Sequence, residues 1–267
     1  MDHSPTVLDL AHAAMMAAPE DDAARLRYYA RLADGMLYLM LEAEAVGGVI
    51  RPRIFALQDG PVVLAFDRED RLAEAAGGVV PYAELSGRVI AAELAGQTGQ
   101  PLSLGINLGV ADSAFLVPPE ALLWLSQVLS ANPSEVSALP IAFAAPRGLP
   151  VALLTALDAK LARAAGLAQS ALLACVTYDG GRIGHMLAFV GARPGAEAAL
   201  ARAANEALTF SGVEAGEMDV TFLAEGDTGL AALAQVALRF DLPHPEVTAP
   251  QAPQAPGTDP SRPPILR

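Results

Sequence analysis

Cysteine is nearly missing from this sequence: Cys175 stands alone among 267 residues. No intrachain disulfide can form, so nothing points to a secreted, disulfide-stapled scaffold. Histidine is scarce and scattered. His3, His12, His185 and His244 have no i, i+4 or H-x-x-E partner, whereas a metal site needs three or four converging ligands. No metal and no cofactor are expected. The chain also lacks G-x-S-x-G, the phosphate loop G-x-x-x-x-G-K-[ST] and G-x-G-x-x-G, the local signatures of a nucleophile elbow and of nucleotide binding. No apolar run approaches the roughly 18 residues of a membrane span. The opening MDHSPTVLDL carries acids and no basic stretch, unlike a signal peptide, so a cytoplasmic location is expected. Of the 17 basic residues only Lys160 is a lysine, which we read as genomic base composition.

Acid and alanine are what the chain has in quantity. Net charge is −13, and such a surface repels nucleic acid and anionic membrane alike. Hydrophobic residues make up 53%, ample for cores although much of it is alanine.

The clearest local signal is PVVLAFDREDRLAEAA. The run from Val62 to Phe66 suits a buried strand. Asp67 then stands where a helix N-cap belongs, with Asp70 three positions on, and Gly77-Gly78 ends the helix. Before it, the pattern predicts helices over 6–17 and from Pro19 to Ala33, then strands over 36–41 and 54–57. Asp59-Gly60 marks a hairpin between strands 54–57 and 62–66. After it come a strand over 79–82, a helix over 88–95 with Ser86 as cap, strands over 102–107 and 114–117, and a helix opened by Pro118-Pro119-Glu120. Residues 131–149 read as a proline-rich linker whose apolar middle, LPIAFAA, lies along a surface groove. A second domain over 150–242 reads as helix 150–165 ended by Gly166, strands 171–178 and 183–190 joined through Asp179-Gly180-Gly181, helix 196–208, strand 219–223 and helix 228–237. The fold class is α+β: two small mixed α/β-sheet domains in tandem, the first over 1–130, plus a disordered proline-rich tail over 243–267.

These segments, in order, resemble the SseB family, labelled "enhanced serine sensitivity". In the first domain the resemblance rests on RLADGMLYLML, PVVLAFDREDRLAEA, GRVIAAELAGQ, SLGINLG and FLVPPEALLWL. In the second it rests on LLTALDAKLARAAGLAQSALLACVTYDGG, GHMLAFVGARPGAE and DVTFLA. It implies an N-terminal and a C-terminal SseB domain and some link to serine tolerance. It supplies no catalytic residues.

Candidate sites are few. Cys175 sits mid-strand without a C-x-x-C partner and reads as a buried structural thiol, because a reactive thiolate needs exposure and nearby positive charge. In a hairpin closed at Gly180-Gly181, Thr177 or Val176 would face His185 more nearly than Cys175 does. Asn107, in GINLG, could bind a small polar group through its amide; a turn stabilised by asparagine is the plainer reading. The carboxylates around Asp67 and Asp70 are explained by helix capping. Trp124, the only tryptophan, suits core, domain interface or a binding hot spot. Ile265 and Leu266 follow Pro263-Pro264 and would suit a docking peptide. The expectation is a non-enzymatic protein with an unidentified protein partner, neither nucleic acid nor membrane. The alternatives are a binder of a small polar ligand, such as an amino acid, in the interdomain cleft below 139–145, or an enzyme with an unfamiliar site.

Overall fold

The computed structural model describes residues 4–58, 60–131, 138–212 and 218–243. Two mixed sheets, each carrying helices on both faces, confirm the α+β class. The expected tail, with Ile265, Leu266 and His244, lies outside the described residues, as does His3. No helix among those described is long and apolar enough to cross a membrane.

Helix α1 (Val7–Ala17) begins with a reciprocal capping box. The Asp9 N–H donates to Thr6 Oγ1 at 3.0 Å and the Thr6 N–H to the Asp9 carboxylate at 2.8 Å, satisfying two orphan donors at once. Helix α2 (Asp22–Asp34) starts later than expected. Asp21 caps it, accepting from the Ala23 N–H, and Pro19 lies before its first turn. A capping oxygen fixes a helix start more firmly than a proline that is merely tolerated there.

The first sheet is built from β1 (Met36–Met40), β2 (Ile54–Leu57), β3 (Gly60–Phe66), β4 (Tyr82–Ser86), β5 (Ser103–Ile106) and β6 (Phe115–Val117), in the order β4-β1-β3-β5-β6. Strand β2 pairs with the first half of β3, as the hairpin signal required. Period-two alternation divides its faces. Leu37, Leu39, Val63 and Ala65 face the main core beneath α1, α2, α4 (Gly87–Ala95) and α5 (Pro119–Ser130), while Met40, Phe66 and Leu72 form a smaller core under α3 (Glu69–Ala76). Strand β4 begins three residues later than expected, at Tyr82. Val79 is fully exposed, and the alternation of Ala83 and Leu85 packs against the core instead.

Asp67 does not cap α3. The N-cap is Arg68, which makes no side-chain capping bond, and Asp67 is held by Arg71 Nη1 at 2.7 Å and by the Thr6 hydroxyl at 2.5 Å. Ser86 stands at the N-cap of α4 but likewise makes no capping bond. Gly77 ends α3 in the left-handed conformation, φ 68°, as a C-terminal glycine should.

The second sheet runs β10-β9-β8-β11, with β7 also on β8. Here β7 is Pro140–Ala144, β8 Ser170–Tyr178, β9 Ile183–Val190, β10 Met218–Leu223 and β11 Leu238–Asp241. The LPIAFAA segment is therefore an edge strand and not a strip along a groove: its backbone pairs with Cys175–Tyr178. Strand β11 was not expected, since Leu238 and Phe240 alternate over too few residues to be read. Helices α6 (Val151–Leu161) and α7 (Glu197–Phe210) cover one face and α8 (Leu230–Val236) the other. Helix α6 stops before Gly166, which lies in the following turn and donates its N–H to the Pro243 carbonyl.

The β8–β9 hairpin closes with three residues, not two, between Tyr178 and Arg182, and Gly180 and Gly181 take φ 91° and 86°. That extra residue shifts the register by one. Cys175, not Val176 or Thr177, pairs with His185.

Candidate functional site

The two domains meet along α2, α5 and α7. Phe210, the last residue of α7, is buried within the first domain's core, edge-on to Trp124 with ring centroids 6.1 Å apart; Trp124 in turn meets Tyr29 at 5.6 Å. Beside this aromatic contact sits a charged cluster drawn from both domains. Lys160 of α6, with only 9% of its side chain exposed, places Nζ 2.8 Å from Asp34 Oδ2 and 2.6 Å from Glu206 Oε2. Arg88 of α4 spans the same two carboxylates, at 2.7 Å from Asp34 and 3.1 Å from Glu206. Arg163 donates to the Asp34 backbone carbonyl at 2.5 Å. Nζ of Lys160 also lies 5.6 Å from the centre of the Phe210 ring, within cation–π range.

Buried ions are stable only when paired and hydrogen-bonded, and each member here has two or more partners. Burial pushes the Asp34 carboxyl up, but Lys160 and Arg88 outweigh it and hold the group below its ordinary value. Burial likewise favours a neutral Arg88, and Glu206 and Asp34 reverse that and raise its pKa.

Asp34 and Lys160 form a septum between two clefts of the seam, since both line each of them. One, about 440 Å³, is mostly apolar and runs between α1–α2 and α6–α7, with Val7, Leu10, Ala14, Val151 and Ala156 among its walls. The other, about 480 Å³, is lined by Ser86, Arg88, Arg163 and Arg202 together with the septum and Glu206. No residue of 139–145 lines either cleft, so the interdomain space is not where the sequence reading put it.

Residues 10–124 match the model of the SseB protein N-terminal domain. That segment is similar to the SseB N-terminal domain. The match ends at Trp124 and does not reach the second domain. No curated protein and no solved structure matches the chain. The matched segment supplies Asp34 and Arg88 to the seam, and Lys160, Arg163, Arg202 and Glu206 come from beyond it.

Within the matched segment Asn107 is fully buried. It adopts φ 51°, the one positive φ outside glycine among the described residues. Its Oδ1 accepts from the Asp67 N–H and its Nδ2 donates to Ser113 Oγ, each at 3.2 Å. Asparagine tolerates this conformation by bonding locally, and the amide ties the turn to the end of β3 and to Ser113, whose hydroxyl in turn donates to Asp9 of α1. Nearby, Arg71 binds both Asp9 and Asp67, so the acidic segment around Asp67 is a junction between α1 and α3. Trp124 lies at the domain seam. Cys175 is half-buried, and the His185 ring contacts the Arg147 carbonyl at 3.1 Å. Among the described residues no hydrogen bond joins that pair, and no three His, Cys, Asp or Glu side chains cluster as metal ligands would.

The seam residues were missed because none belongs to a motif. One signal was present: a single lysine among 17 basic residues. Its position in the cluster gives it a physical role that base composition does not.

Proposed function

We propose that this chain is a non-catalytic interaction protein that holds an amphipathic helix of a partner protein in the apolar cleft of its seam. The observation that carries this reading is the unpartnered apolar wall on both sides. Val7 and Leu10 of α1 are 63% and 60% exposed, Val151 of α6 is 77% exposed, and all three line the same cleft with a floor of alanines. Small floor residues admit close approach, and apolar side chains on two opposed helices supply the i, i+3, i+4 contacts of helix-in-groove recognition. Both α1 and α6 have 11 residues, which suits a guest of about three turns. Arg27 and Arg31 stand in the same lining, so the guest's polar edge should be acidic.

The test is capture from native lysate on the full chain, beside Leu10→Asp and Val151→Asp. Both positions are exposed, so neither change should alter the melting curve. A partner retained by the wild type and reduced at least about tenfold on both variants supports the reading. A partner held equally by the variants, or none on any bait, overturns it.

A further inference from the structure

The cleft on the other side of the septum has a different chemistry. Four of the chain's 17 basic residues, Arg88, Lys160, Arg163 and Arg202, line it, against two carboxylates, Asp34 and Glu206. In a chain of net charge −13 this is a local excess of two positive charges. The two carboxylates are already engaged by Lys160 and Arg88. Arg202 is exposed on α7 and makes no ion pair among the described residues. Arg163 is half-exposed, gives one donor to the Asp34 backbone carbonyl and lies 3.7 Å from the Asp34 carboxylate, a long contact that leaves the rest of its fork open. Ser86 lines the same cleft at the N-cap of α4 without capping it, and the first helical N–H, that of Gly87, goes to the Gly35 carbonyl. Met36, Leu129 and Leu167 give apolar walls, which strengthen any charge interaction they shield. The acidic exterior does not cancel this, because at physiological salt charges more than about 8 Å away are screened.

We infer that this cleft is a binding site for a small anion, carrying a phosphate or carboxylate group, read by the Arg163 and Arg202 guanidinium forks and the Ser86 hydroxyl. Guanidinium matches both oxyanions in bidentate geometry, and a cleft of about 480 Å³ holds a metabolite-sized guest and not a polymer. Two of the three reading groups come from the second domain and one from the first, so the guest touches both.

The experiment is isothermal titration of the full chain with sodium phosphate and, separately, sodium succinate, each against sodium chloride of equal ionic strength. Saturable one-site heat is expected from at least one of them. Phosphate alone would assign a phosphate-bearing ligand and succinate alone a carboxylate. Arg202→Gln should weaken that binding about tenfold, with Arg163→Gln as a second variant, while Val79→Ser, at an exposed position that lines neither cleft, leaves it unchanged. No saturable heat from either anion, or binding indifferent to Arg202→Gln, overturns the site. Because Arg202 does not line the apolar cleft, failure here says nothing against partner capture there.

Discussion

Lys160 Nζ in the second domain lies 2.8 Å from Asp34 Oδ2 in the first, across 126 positions of sequence. The bond is almost fully buried on both sides, and Glu206 and Arg88 close the cluster around it. Its consequence is to tie α2 to α6 at the point where the two clefts divide.

Replacing Lys160 by Met should destabilise the chain by about 3 kcal/mol, because two buried carboxylates then share only the arginines. Combining Lys160→Met with Glu206→Gln should recover part of that loss, since one of the stranded charges is gone. Urea denaturation at pH 7 measures both. A single-variant loss well under about 1 kcal/mol would show that solvent reaches the pair.

Acid should loosen both the seam and the α1–α3 junction. Asp34 and Asp9 are each held below the ordinary carboxyl value of 3.8. In each, burial pushes the pKa up and is outweighed: by Lys160 and Arg88 at Asp34, and by Arg71, Ser113 and Thr6 at Asp9. A depressed carboxyl contributes stability that is complete above its unfolded pKa and is lost as pH falls through the folded value. Stability should therefore hold from pH 6 to about pH 4 and drop below it. The gap between wild type and Asp9→Asn should narrow over the same range. A gap independent of pH would sink the assignment.

Tyr28→Phe should cost nothing. The Tyr28 hydroxyl is fully buried, with no hydrogen-bond partner among the described residues, while its ring packs edge-on against His12, Tyr29 and Phe115. Burial also drives its pKa upward, since no group there stabilises the phenolate. Phenylalanine keeps the ring contacts and removes an unsatisfied oxygen, a change expected to raise stability by up to about 1 kcal/mol. A loss of that size in thermal melting would reveal a partner for the hydroxyl.

Gly87→Ala should be severe. A Cβ at Gly87 would stand 1.9 Å from the Leu32 carbonyl oxygen and 2.8 Å from its carbon, both backbone atoms of α2. Neither can rotate away, so α4 must lift from α2, at a cost of about 3 kcal/mol or more. Soluble yield and urea midpoint test this; a wild-type midpoint would show that the two helices slide freely.

What could be read in advance was local. The Asp59-Gly60 and Asp179-Gly180-Gly181 signals place two hairpins, Gly77 ends α3, and the apolar runs over 36–41 and 62–66 mark two strands of the first sheet, whose division into two faces only the structure shows. Register was less secure, because one more residue in the turn carried His185 from Val176 to Cys175. Capping was read from spacing alone at Asp67, where a contact with Arg71 and a threonine 61 positions away decided the side chain's use.

The sequence by itself determined the α+β class, the net negative charge and the resemblance of the first part to SseB, since these depend on propensity, periodicity and composition, which act over a few residues. Only the tertiary structure decided that LPIAFAA is an edge strand, that Trp124 and Phe210 meet, and that Asp34, Arg88, Lys160 and Glu206 converge between two clefts. Those contacts join residues separated by dozens of positions in the chain. The energy that selects them comes from desolvation and charge pairing in the folded seam, and it leaves no spacing rule for the sequence to display.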